Sequence, residues 1–133
     1  MKTLKLSVLI LAVSLSAFGA RTKNTGPTTE VKTEFYNTDF EFSGLILYTT
    51  TPDVGMYRVT VYENSVGSAE CTVEISWTDA VGPQSAEVTR VGSSPLQATM
   101  PVYPLANTDI LLSTSGCYVA PDTYALDLTV EKL

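Results

Sequence analysis

The stretch ECTVEISWTDAVGPQ, residues 70–84, decides the fold. Successive side chains of an extended chain point to opposite faces, so Cys71, Val73, Ile75 and Trp77 share one side and Thr72, Glu74, Ser76 and Thr78 the other. The alternation stops at Val81-Gly82-Pro83, a turn signal. A strand buried on both faces reads as continuously apolar, whereas this one alternates and belongs to an antiparallel sheet with one wet face. The row Cys71 to Trp77 is therefore expected to face the interior.

Two further rows obey the same period: Tyr57, Val59 and Val61 before this stretch, and Tyr124, Leu126, Leu128 and Val130 near the end. About eight runs rich in Val, Ile, Thr, Tyr and Phe recur at the spacing of a sandwich or barrel. They span 31–40, 42–50, 56–63, 70–78, 84–91, 96–103, 108–114 and 123–132. Turn clusters such as Pro52-Asp53-Val54-Gly55, Gly92-Ser93-Ser94-Pro95 and Pro121-Asp122 separate them. No stretch after the leader carries an apolar period of a helix. The expected fold is all-β: a single antiparallel β-sandwich, jelly-roll-like or immunoglobulin-like, of about eight strands over residues 31–133.

The start of the chain reads differently. A short basic segment with Lys2 and Lys5 precedes an apolar run from Leu6 to Phe18, and small residues follow at Gly19 and Ala20. That is the pattern of a signal peptide over residues 1–20, and it is shorter than a membrane span. Residues 21–30 are rich in Thr, Gly, Pro and Asn without an apolar period and read as a flexible lead-in, either a tether or a strand given to a neighbour. The expected location is secreted, whether periplasmic, cell-surface or extracellular.

All 14 acidic residues lie beyond the leader, while two of the 8 basic residues lie within it. A mature chain of strongly negative charge makes nucleic acid an improbable partner, and membrane insertion after leader cleavage is not expected. The two cysteines, Cys71 and Cys117, are most simply a disulfide in an exported domain, the alternative being two buried thiols. The bridge would clip the loop before the last strand to the start of the fourth, making those strands neighbours or placing them face to face.

With no histidine in the chain, the commonest general base and metal ligand are missing, so neither a Ser-His-Asp triad nor a His-bearing zinc site is available. No cofactor, metal or catalytic residue is assigned. A carboxylate-dependent glycosidase would draw on Glu74 and Asp79, which read more simply as a solvated position and a turn residue. Calcium would draw on Asp53, Asp79 and Asp122, but no EF-hand spacing is present. Tyr48, Tyr62, Tyr103 and Tyr118 fall at positions where exposed rings could stack on sugars, although tyrosine also suits strands by propensity.

The runs GMYRVTVY (55–62), CTVEISWTDAVGPQ (71–84), ILLSTSG (110–116) and YALDLTVEKL (124–133) together resemble a β-sandwich module of bacteriophage tail-fibre and virion structural proteins and related bacterial surface proteins. The resemblance covers about residues 44 to 133. It implies a non-enzymatic, oligomerising surface or appendage module and carries over no catalytic residue. The expected function is an exported structural or adhesive module that self-assembles or docks on a surface appendage, with a protein partner or itself. A carbohydrate-binding module taking a surface glycan through the exposed tyrosines is the alternative, and a phage virion or tail-fibre component the second.

Overall fold

The computed structural model describes residues 26–133. The expected signal peptide and the first half of the expected lead-in, residues 21–25, lie outside the described residues. Eight strands follow one another: β1 (Thr28–Thr38), β2 (Leu45–Thr49), β3 (Tyr57–Ser65), β4 (Glu70–Thr78), β5 (Pro83–Val91), β6 (Leu96–Val102), β7 (Asp109–Ser115) and β8 (Tyr124–Lys132). No helix occurs among the described residues. β1 begins at Thr28, so the last residues of the expected lead-in already pair with β8, Thr28 lying opposite Lys132.

The strands form two four-stranded sheets, β1-β8-β3-β6 and β2-β7-β4-β5, and every neighbouring pair is antiparallel. This order has a simple origin. Folding the chain back on itself at the β4–β5 hairpin pairs β4 with β5, β3 with β6, β2 with β7 and β1 with β8, and all four pairs are present. Wrapping that double ribbon adds β3·β8 and β4·β7 and closes two layers, which is the jelly roll. Alternation in sequence is the same for an immunoglobulin-like sandwich, so pairing alone distinguishes them. β1 lies over β2 on one side of the sandwich and β5 over β6 on the other.

The three alternating rows meet between the layers. Tyr57, Val59, Val61, Cys71, Val73, Ile75, Tyr124, Leu126, Leu128 and Val130 are all buried, joined by Val102, Ile110 and Leu112. Trp77 departs from its row. It lies near the β4–β5 hairpin and packs against the core only partly buried, so the centre of the core belongs to tyrosine and branched aliphatic side chains.

Cys71 and Cys117 form the disulfide, with Cα atoms 4.3 Å apart. Ser115 at the end of β7 is paired with Thr72, so the bridge fastens two adjacent strands of one sheet just beyond their last pair. The strands named in the expectation, β4 and β8, sit in opposite sheets.

A second tie joins the sheets. Glu63 continues the inward row of β3 and Arg90 the inward row of β5, and the guanidinium Nε donates to Glu63 Oε2 at 2.7 Å. The remaining guanidinium nitrogens donate to the carbonyls of Ser68 and Gly92 and to Ser65 Oγ, so each of the three nitrogens of the buried cation has an acceptor. A buried charge without such partners would cost several kcal/mol, on the order of 3–5 when one partner is removed.

Candidate assembly edges

An open sandwich has four edge strands, here β1, β6, β2 and β5, and each presents backbone groups that no neighbour satisfies. The four are not equivalent. β6 carries Pro101 within it and is flanked by Pro95 and Pro104, which remove donors from the ladder. β2 has only five residues and a register shift between Ile46 and Tyr48. β1 runs for 11 residues, regular from Val31 to Phe35 between two irregularities.

β5 is different: nine consecutive residues, Pro83 to Val91, pair with β4 without any shift. The direction of its free groups follows from the ends of the hairpin. Asp79 and Gly82 exchange both backbone bonds, at 3.0 and 3.2 Å, and Gly92 donates to Ala69 O at 2.8 Å. In an antiparallel ladder hydrogen-bonded and non-hydrogen-bonded pairs alternate. Trp77·Gln84, Ile75·Ala86, Val73·Val88 and Cys71·Arg90 are thus the bonded pairs, and Pro83, Ser85, Glu87, Thr89 and Val91 turn their backbone groups away. Pro83 sits where its missing N–H deprives β4 of nothing.

Asp79 shapes the turn that starts this edge. Its Oδ1 accepts from the backbone N–H of Val81 at 2.8 Å and of Gly82 at 3.1 Å, and from the Gln84 amide at 3.3 Å. Glu74 lies on the outer face of β4, directly opposite Glu87 and beside Ser113. Five residues of strand separate Glu74 from Asp79, about 16 Å, and they do not face each other across a cleft. Among the described residues no three of His, Cys, Asp or Glu converge as metal ligands, so Asp53, Asp79 and Asp122 are not brought together. A shallow depression of about 300 Å³ is lined by Val66, Gly67, Ser68, Ala69, Gly92 and Ser93, none of them titratable.

The four tyrosines are dispersed. Tyr62 stands on the outer face of the β1-β8-β3-β6 sheet between Asp127 and Gln97, with Glu34 beyond Asp127. Tyr103, just past β6, is exposed at the other end of that sheet, about 20 Å along the strand direction. Tyr48 turns inward at the β1/β2 side, where its hydroxyl donates to Glu30 at 3.2 Å and its ring lies 5.7 Å from that of Tyr57. Loss of hydration, followed by the Glu30 charge and hydrogen bond, pushes its pKa up to about 12. Tyr118 packs partly against the core in the β7–β8 connection, and its backbone N–H donates to Glu41. Sequence reasoning missed Tyr36, which is 64 % exposed on β1 with its hydroxyl donating to Glu34. It shares outward parity with Lys32 and Glu34, and that was the available signal.

No family model matches the chain, and no curated protein matches it. Among solved structures, one described as "Bacillus endospore appendages form a novel family of disulfide-linked pili" is similar at 15% identity and TM-score 0.45, covering 82% of this chain and 91% of that one. "BiXyn10A CBM1 APO" is similar at 16% identity and TM-score 0.40, covering 80% and 78%. The tail-fibre resemblance read from the motifs is not shown by either.

Proposed function

We propose that this chain is an exported, non-enzymatic structural module that assembles with copies of itself or docks on a surface appendage. The observation that carries this reading is the regular β5 edge, nine residues of unshifted strand with one side of the backbone unpaired. Exposed edges are ordinarily protected by prolines, bulges, charges or brevity: Pro101 interrupts β6 and β2 is short and shifted, whereas β5 carries a proline only at its first residue and a single charge on its free side, Glu87. An edge left open is a template for strand addition, which draws its affinity from main-chain bonds and needs no side-chain motif. The buried disulfide supports residence in an oxidising compartment. Light scattering of the exported chain across a concentration series tests the reading. A mass that rises above one subunit is expected, and a monomer throughout would overturn it.

Glycan binding is the second reading, favoured by the Glu34–Asp127–Tyr62–Gln97 row. A ring flanked by carboxylate and amide groups on a flat face can stack on a sugar and bond its hydroxyls. A glycan array probed with the wild-type chain and with Tyr62→Ala tests it. Signal lost in the variant supports the reading, and an array without hits removes it.

A further inference from the structure

Resting on the assembly reading, we infer that the β5 edge of one copy receives the β1 edge of the next, antiparallel, with Lys32 of the incoming strand opposite Glu87. The free groups of β1 follow from Leu133, whose N–H bonds Met56 O at 2.9 Å. Alternation along β8 then turns Glu131, Thr129 and Asp127 toward β3, and Val130, Leu128 and Leu126 toward Val31, Thr33 and Phe35 of β1. Lys32 and Glu34 therefore direct their backbone groups away from the sheet, as Ser85, Glu87 and Thr89 do on β5.

Charge selects this partner. Glu74 and Glu87 oppose each other in a non-hydrogen-bonded pair, where side chains come closest and like charges destabilise. Among the described residues neither takes part in an ion pair, while Arg58 is engaged by Glu131 and Arg90 is sealed inside with Glu63. Lys32 is the cation on a free edge, held only by a solvent-exposed contact with Glu34. Pairing β5 with β5 of a second copy would bring acids together with no cation between them. Pairing it with β1 sets Lys32 opposite Glu87, on the outward face that Glu87 shares with Glu74.

The same register is consistent along the strand. Counting outward from Lys32·Glu87 places Glu34 opposite Ser85 and Tyr36 opposite Pro83, giving two exposed apolar surfaces a contact. On the inner side it sets Thr33 beside Ala86 and Val31 beside Val88, covering side chains that the monomer leaves partly open. β1 and β5 lie on opposite sides of the sandwich, so the contact is head-to-tail and every copy offers both halves. Such contacts propagate into open chains unless the rotation closes a ring.

Sedimentation velocity on the exported full chain, with Glu87→Lys, Lys32→Glu and the double variant, tests the pairing. Each single reversal is expected to raise the concentration needed for half-assembly about tenfold or more, and the double reversal to restore it. Ser85→Pro removes a donor that the monomer does not use and is expected to abolish assembly while leaving the circular dichroism spectrum unchanged. Folded Glu87→Lys or Ser85→Pro that assembles at the wild-type concentration would overturn the β5 assignment and leave the assembly reading standing. Failure of the double variant to recover would overturn the role of β1. A wild-type chain that never assembles would instead overturn the assembly reading itself.

Discussion

Arg90 and Glu63 meet between the two sheets with their side chains 3 % and 0 % exposed, the only ion pair among the described residues withdrawn from water. It fixes β5 against β3 across the sandwich and so holds in place the strand whose outer edge is free. Removing one partner strands a charge. Arg90→Ala or Glu63→Ala is expected to lower stability by about 3–5 kcal/mol, while replacing both with apolar residues of similar volume costs far less. Urea denaturation of the singles and the double checks this, and a double variant as unstable as the singles would contradict it.

The disulfide closes a loop between residues 46 apart in sequence. On the chain-entropy model this stabilises the fold by about 4 kcal/mol. Thermal melts with and without reductant are expected to differ strongly, and a Cys71→Ala/Cys117→Ala variant should melt where the reduced protein does. Equal melting in both conditions would show the bridge to be incidental.

Gly116 and Gly44 share nearly the same left-handed backbone, φ 70° and 66°, but differ in surroundings. A Cβ at Gly116 would lie 2.8 Å from the Glu70 carbonyl oxygen, whereas one at Gly44 meets nothing within 4 Å. Gly44→Ala is expected to cost about 1 kcal/mol from backbone conformation alone. Gly116→Ala should cost clearly more, because it also pushes against backbone beside the disulfide. Similar denaturation midpoints for the two would refute the close approach.

Tyr48 and Tyr124 both have pKa values raised to about 12 from an ordinary 10.0, chiefly by loss of hydration. Their folded forms hold the proton more tightly than the unfolded chain, so this contribution is intact below about pH 10 and is lost as pH rises toward 12. Stability is expected to fall through that window, and tyrosinate absorbance should show two groups titrating late. Tyr48→Phe should flatten the alkaline decline, and an unchanged slope would assign it elsewhere.

The layers of this fold were legible because Tyr57-Val59-Val61, Cys71-Val73-Ile75 and Tyr124-Leu126-Leu128-Val130 alternate without interruption, and burial on one face leaves that trace directly. Strand order was not, since a period of two is indifferent to which strand lies alongside. Jelly roll and immunoglobulin-like sandwich therefore stayed open until β1·β8 and β2·β7 were seen paired. Glu63 and Arg90 keep the inward parity of their strands, and opposite charges on two inward rows were a readable sign of a buried pair that patterning by hydrophobicity alone passes over. The turn at Asp79 was legible because an Asp side chain accepting from backbone N–H groups two and three residues on, ahead of Gly82-Pro83, is local chemistry. Tyr62 and Tyr103 are exposed as the alternation suggested, whereas the inward turn of Tyr48 beside the β2 irregularity was not legible, because a register shift leaves no mark in a period of two.

Thr28 opposite Lys132 has an engineering consequence. The two ends of the folded part leave through one corner, so a short linker can join them and a circular permutant can be opened at the Ala80-Val81 tip of the β4–β5 hairpin. Such a permutant would keep every strand pair while freeing the corner, and would move any fused cargo from the β1/β2 side to the β5/β6 side at the same end of the sandwich, the end that Thr78 shares with the β6–β7 connection.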